Sequence, residues 1–261
     1  IRDRDVTGVQ TCALPIFKAY TLINVLGLAC SLACVLTVAR YIHQENTVNQ
    51  CFPEYKRICL IKTSTSSGEN FLGGYRSGLE KDPDVEQFTV IYQISDMPVL
   101  FGEQEIAANA FSVDSTFFKI FPYRVIAGSG RIVRPRDVVI TRSFWMKKLG
   151  GKNAIGATFK NTKGNKFTIV GVVDDPDTKT SWTPDIFMSN ELDEFLFFDP
   201  IYAMLMASDA DIALLNKKYS KEHPRSKWST YETVRYQYLP LKDLYYDKDH
   251  GKENKNYQYG N

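Results

Sequence analysis

The sequence predicts an α+β protein: one N-terminal transmembrane helix followed by a two-lobed domain, in which a β-rich lobe interrupts a larger α+β lobe. Three observations predict it. A charge-free apolar run, Ala19 to Ala39, is closed by Lys18 and Arg40; about 20 such residues at 1.5 Å each cross a ~30 Å hydrocarbon layer. Strand and helix patterns then alternate both before Gly128 and after Pro200, and the stretch between them is dominated by strands. The expected boundaries are 17–42 for the membrane helix, 43–128 with 200–261 for the discontinuous lobe, and 129–199 for the inserted lobe.

Residues 1–16 (IRDRDVTGVQTCALPI) have no apolar period and no cap leading into the helix. They resemble the conceptual translation of a short-read sequencing adapter, with Arg4 and Asp5 at the variable index, and are set aside from fold reasoning. The net charge of +2 survives, because two Arg and two Asp leave together, while five cysteines become four. The 17–42 run is read as a retained span rather than a signal peptide. Its apolar core is long, and no small-x-small cleavage pattern follows Val38-Ala39-Arg40-Tyr41. Gly27 and Ser31, and Ala29 and Ala33, fall four apart, a spacing that lets a partner helix approach.

Beyond the span, Tyr55 to Thr63 alternates as a strand, with Tyr55, Cys59 and Ile61 on one face and Ile58 and Leu60 on the other. Ser64 to Gly68 reads as a polar loop. Leu72, Tyr75 and Leu79 recur at helical spacing until Asp82-Pro83. Gln87 to Ile94 is a strand, Pro98 to Phe101 starts another, and Glu103 to Asn109 is a turn leading into a third. Asp114 caps a short helix carrying Phe117, Phe118 and Phe121. Gly128-Ser129-Gly130 reads as a hinge. Asp137 to Ile140 is a strand, and Thr141 caps a helix with Phe144, Trp145 and Leu149 inward, closed by Gly150-Gly151. Ala157 to Lys160 and Lys166 to Val173 form a hairpin ending at the acidic turn Asp174-Asp175-Pro176-Asp177. Phe195 to Phe198 is loosely patterned. Tyr202 to Met206 is a buried strand, Asp209 caps a helix with Ile212, Leu215 and Tyr219 on one face, and Val234 to Leu239 is a late strand. The tail from Lys248 is charged and rich in Gly and Asn.

Composition narrows the chemistry. The charge is nearly balanced at 32 basic and 30 acidic residues, with no basic stripe, which sets nucleic acid aside. No Gly-x4-Gly-Lys-Ser/Thr loop or Gly-x-Ser-x-Gly elbow occurs. The three histidines, His43, His223 and His250, have no Cys or carboxylate at ligand spacing. The expectation is therefore no catalytic, cofactor-binding or metal residue: not an enzyme, with any energy supplied by another subunit. Cys30 and Cys34 lie in the span. Cys51 and Cys59 flank Pro53 and either pair or, as preferred here, leave one exposed thiol and one in a strand.

Several segments together resemble the bacterial ABC-transporter permeases of the MacB/FtsX-like family and their periplasmic core domain. They are Ile23-Asn24-Val25-Leu26-Gly27-Leu28; Val113 to Phe121; Asp137-Val138-Val139-Ile140-Thr141 through Lys148-Leu149-Gly150; Asn153-Ala154-Ile155-Gly156; Phe167 to Val173; and Leu239-Pro240-Leu241. The resemblance runs from Phe17 to about Asp249. It implies a periplasmic domain inserted between the first two of four helices in the bacterial inner membrane, and a dimer of permease copies. It also implies a cytoplasmic ABC ATPase partner, possible periplasmic partner proteins, and motion transmitted outward rather than a conducting pore. The three later helices are not in this sequence, so the chain is expected to be a fragment. The lever idea places a stiff junction at Tyr41 to Pro53 and a hinge at Gly128 to Gly130. The rival reading is a membrane-anchored sensor or binding module without a motor.

Overall fold

A computed structural model of the chain describes residues 7–66, 68, 70–74, 78–151, 153–191, 200–221, 223–224 and 233–248. The chain divides into two compact units, Ile1–Thr47 and Val48–Asn261, and each is described by itself. Tyr75, Phe195 to Phe198 and the tail beyond Lys248 lie outside the described residues.

The first unit is one helix, α1 (Thr7–Asn46). It is longer than the 17–42 expected, running four residues past Ile42 and through 7–16. Within it, Lys18–Asn46 is long and apolar enough to cross a membrane. Residues 18–44 are exposed all round, Leu28 at 72%, so its apolar surface needs lipid or other helices around it. Two hydroxyls on this surface are satisfied inside the helix: Ser31 Oγ donates to Gly27 O and Thr37 Oγ1 to Ala33 O, both at 2.8 Å.

In chain order the second unit contains β1 (Ile58–Thr65), β2 (Asn70–Leu72), a 3-10 turn (Leu79–Lys81), β3 (Val85–Phe101), β4 (Gln104–Val113) and α2 (Phe117–Ile120). Next come β5 (Val125–Gly128), β6 (Asp137–Thr141), α3 (Arg142–Lys148), β7 (Thr158–Asn161), β8 (Lys166–Val173) and β9 (Ile186–Ser189). The last elements are β10 (Ile201–Met206), α4 (Ile212–Tyr219), β11 (His223–Pro224), β12 (Thr233–Pro240) and α5 (Leu241–Leu244). The strands run in the order β11-β12-β1-β10-β3-β4-β9-β6-β8-β5, with β2 beside β1 and β7 bridging β3 and β8.

The larger lobe is the antiparallel part of this sheet, β12-β1-β10-β3. β1 is buried on both faces because its alternation serves two cores. Ile58 and Leu60 join an aromatic-rich cluster with Phe111, Phe117, Phe121 and Trp182, while Cys59 and Ile61 join Met204, Met206, Leu215 and Tyr238 on the α4 side. Each large apolar side chain so buried contributes about 1.5–3 kcal/mol.

The β-rich lobe closes on itself. β3 pairs with β4, β4 with β9, β9 with β6, β6 with β8, β8 with β7, and β7 returns to β3. This ring of six strands surrounds Val99, Ile106, Val138, Ile140, Phe159, Phe167, Ile169 and Ile186, and closure removes exposed edges. Two pairings, β4 with β9 and β6 with β8, are parallel. β3 is shared: Val85 to Ile91 pair with β10, whereas Val99 and Leu100 pair with β7.

Several elements differ from expectation. The helix expected over Leu72 to Leu79 is absent: Leu72 ends β2 and Leu79 begins the 3-10 turn. Gly73 and Gly74, at φ 113° and 95°, break the run. The two strands expected at Gln87 and Pro98 are one 17-residue strand, whose pairing with β4 shifts register between Ile94 and Met97, with Asp96 at φ 50°. That bulge lets a single strand bend between two lobes. Tyr55 precedes β1 and packs against the aromatic-rich core, so it does not share the Cys59 face. The cap of α4 is Asp211, not Asp209. Its Oδ1 accepts from Ala213 N and Leu214 N at 2.9 and 3.1 Å, which only the residue adjoining the first turn can do.

The expected hinge is a laced edge. Ser129 N donates to Val170 O at 2.8 Å, and a Cβ on Gly171 would stand 1.7 Å from Ser129 O. Asp114, in contrast, caps as expected and does more. Its Oδ1 accepts from Thr116 N, Phe117 N and Thr89 Oγ1, and its Oδ2 from Val90 N, at 2.8–3.2 Å.

Three outcomes follow for the full chain in detergent. Gly171→Ala will destabilise it by about 3 kcal/mol in urea unfolding, because backbone must move. Gly164→Ala, with φ 80° and open space, will cost only about 1 kcal/mol. Asp114→Ala will lose about 2–3 kcal/mol by the same measurement, and Asp114→Asn less, since an amide oxygen still accepts. Cys51 and Cys59 are free thiols. Burial raises both, Cys59 to about 12 with help from the Asp243 charge, so at pH 8 both stay protonated. Iodoacetamide will modify Cys59 only after unfolding and Cys51 slowly, as read by mass spectrometry.

Candidate functional site

The second unit grips its own beginning and its own end at one place. Asn49 is 1% exposed and left-handed at φ 65°, a conformation that Asn tolerates better than most residues. Its backbone N–H donates to Lys179 O at 2.8 Å. Its side-chain Oδ1 accepts from Ser181 N at 2.8 Å, while Nδ2 donates to Ser181 Oγ at 2.8 Å and to Leu241 O at 2.9 Å. One side chain thus joins the first residues of the unit, the 178–182 loop and the start of α5.

The end of the unit is held twice more. Lys62 Nζ, on β1, donates to both carboxylate oxygens of Asp247 at 2.9 and 2.7 Å, the two side chains being 9% and 13% exposed. Lys179 Nζ donates to Tyr245 Oη and lies 4.3 Å from that ring's centre. Removing one partner of so buried a pair leaves an uncompensated charge, which costs about 3–5 kcal/mol.

A cleft of about 460 Å³ adjoins this clasp, lined by residues of the 175–185 segment together with Asn109, Tyr123, Thr141, Ser143 and Lys147. The acidic turn supplies part of its wall, and the carboxylates of Asp174 and Asp175 are committed internally. Asp174 pairs with Arg124 and, at 3.1 Å, with Arg142, and the Arg124 hydrogen bond holds it below the usual carboxylate range. Asp175 Oδ2 accepts from Ser143 N at 2.9 Å, beside the Thr141 cap of α3. Tyr123 is pushed upward by burial.

Among the described residues, no three His, Cys, Asp or Glu side chains gather to hold a metal. His43 lies in the last turn of α1 and the His223 backbone lies in β11, while His250 is outside the described residues. Cys30 and Cys34 sit exposed on α1. Sequence reasoning missed Asn49, Lys62, Lys179, Tyr245 and Asp247. One signal was available: a lysine inside an otherwise apolar strand, ICLIKT, asks for a buried counter-charge.

Residues 21–218 match the MacB-like periplasmic core domain. Among solved structures, a domain assigned to a permease protein from Porphyromonas gingivalis superposes with a TM-score of 0.57 at 16% identity, covering 72% of this chain and 91% of that one. The periplasmic region of MacB from Actinobacillus actinomycetemcomitans gives 0.50 at 14% identity, covering 66% and 83%. At these identities the likeness is one of fold. No curated protein matches in sequence. With a match over most of its length, an apolar helix before the sheet and the same fold as two such domains, this chain belongs to the MacB-like periplasmic core domain family.

Proposed function

We propose that the chain is the non-catalytic permease part of an ATP-driven ABC transporter: a first membrane helix and a periplasmic domain in the bacterial cytoplasmic membrane. In this reading a cytoplasmic ABC ATPase supplies the energy, a second permease copy completes the dimer, and the periplasmic domain moves to export a substrate or pass on a signal, with or without periplasmic partners. The observation that carries it is the clasp. Asn49 and Leu241 are joined by one hydrogen bond, and Asp247 is pinned to β1 by an ion pair, so the first residues of the domain and its last described segment lie together. An insertion between two consecutive membrane helices requires that. A sensor on a single span does not.

The lever in this mechanism runs through the chain between Asn46 and Asn49. Because 128–130 is laced to β8 and β3 spans both lobes, the domain is expected to move as one body rather than bend at Gly128.

The test uses the full-length parent permease with its ATPase in nanodiscs. A spin label at Lys163→Cys, on an exposed turn, reports the distance between the two copies in an otherwise cysteine-free background. ATP with vanadate will change that distance in the parent. A Gly/Ser insertion after Asn46 will abolish the change while ATP hydrolysis persists, and Asn49→Ala will reduce it. Failure of an ATPase to assemble with the parent, or a full distance change in the insertion variant, overturns the proposal.

A further inference from the structure

Charge that is nearly balanced over the whole chain is segregated within it. Residues 124–166 hold eleven Lys and Arg and a single acid, Asp137. The carboxylates that answer these cations do so from inside. Asp137 pairs with Arg134, and Asp174 with Arg124 and Arg142; the acid side chains are 6% and 12% exposed, the guanidinium-bearing ones 48–73%. The outward side of each pair is therefore cationic. Arg131, Lys147 and Lys148 are exposed and form no ion pair among the described residues. Lys160 stands directly across from Lys166 in the β7–β8 ladder, a like-charge pair that repels.

The same stretch carries apolar side chains in solvent. Val125, Val133, Met146 and Ile155 are four of the six large apolar side chains exposed among the described residues of the second unit. Close approaches gather three of them about two glycine turns. A Cβ on Gly130 would meet Val125 Cγ2 at 2.3 Å, one on Gly128 would meet Ile155 Cδ1 at 2.7 Å, and one on Gly151 would meet Met146 Sδ at 3.2 Å. Val133, 78% exposed, stands on a braced loop. Ser129 Oγ bonds both the N–H and the C=O of Arg131 at 3.1 Å, Ile132 packs on the aromatic-rich core, and Arg134 donates from N and Nε to Asp137 at 3.0 Å.

We propose that this face docks on the anionic surface of the bilayer that α1 crosses, its cations on lipid phosphates and Val133 with its apolar neighbours at the acyl boundary. Interleaving decides between lipid and protein. The core of a protein interface is apolar and depleted in charge, Lys included, whereas each of these four apolar residues has a cation within three positions. A bilayer interface takes both at once, because phosphates bind Lys and Arg while apolar tips enter the headgroup region. Only Thr47 lies between α1 and the second unit, and so short a tether keeps the local concentration of that surface high. The proposal rests on α1 as a membrane span and not on the ATP-driven reading.

The experiment uses the full chain in nanodiscs, cysteine-free but for Val133→Cys carrying an NBD fluorophore. A second preparation carries the label at Leu214→Cys, exposed outside the basic stretch. In phosphatidylcholine discs with about 30% phosphatidylglycerol the Val133 label will shift to the blue and be quenched by doxyl lipid; in pure phosphatidylcholine, or in about 0.5 M NaCl, it will do neither. The Leu214 label will respond in none of these. Arg131→Gln with Lys147→Gln will lower the ratio of docked to free Val133 label about tenfold, with far-UV circular dichroism unchanged. An equal response in neutral discs, no response in anionic ones, or an equal response at Leu214 overturns the proposal. A response to polyglutamate alone overturns it in favour of an acidic protein partner, and a response to separate anionic vesicles alone in favour of a second membrane. Entry into neutral discs, read by co-elution, tests the span by itself. A chain that does not enter overturns the span and the docking with it; one that enters without an NBD response overturns the docking alone.

Discussion

The hydrogen bonds of Asn49 set the frame on which the second unit is built. A buried amide must satisfy both its oxygen and its nitrogen, and here it does so only if the 178–182 segment and the start of α5 arrive at the same point. These groups are 132 and 192 residues away in sequence. The left-handed backbone at Asn49 turns the chain into that position and aims its own N–H at Lys179 O. Were any of the three segments displaced, buried donors or acceptors would be left without partners, at about 1–3 kcal/mol each.

From that point the larger lobe is a conventional antiparallel layer, and its continuity with the smaller lobe comes from one hairpin. β3 is long enough to belong to both, and the bulge between Ile94 and Met97 lets it change direction while β4 stays paired beside it. The smaller lobe then needs only β6 to β9 to close its ring around a core of Phe, Ile and Val. A shared hairpin is stiffer than a glycine linker, because bending it would break ladder hydrogen bonds on both sides. Lacing of Ser129 against Val170 and Gly171 adds to this. Such a body resists bending at the 128–130 segment.

Polar side chains among the described residues are concentrated where connections must be held. Asp114, Asp175, Asp185 and Asp211 each spend a carboxylate oxygen on backbone N–H groups. Lys62 and Asp247 neutralise each other. The indole N–H of Trp182 and the hydroxyl of Thr178 are buried without a hydrogen-bond partner among the described residues.

Much of this was legible in the sequence, where local rules act. The charge-free run of α1, the alternation of β1, β6, β8 and β10, the Asn161 to Asn165 turn, and the caps of Asp114 and Thr141 all follow from spacing and side-chain chemistry between near neighbours. So does the order of motifs that resembles the family. Local rules also erred where two of them competed. Leu72, Tyr75 and Leu79 have helical spacing, but Gly73 and Gly74 interrupt the run; Asp209 and Asp211 can both cap, and geometry selects the nearer. Gly128-Ser129-Gly130 has the composition of a hinge, but here the small residues serve close approach to β8. What only the tertiary structure decided is everything joined over long separations: the closed ring through β7, the shared hairpin, the Lys62–Asp247 pair, the Asn49 clasp and the stranded indole of Trp182. A sequence displays which side chains can pair and at what period, but the meeting of residues some 190 positions apart depends on how whole strands are ordered in the sheet, and no local pattern encodes that.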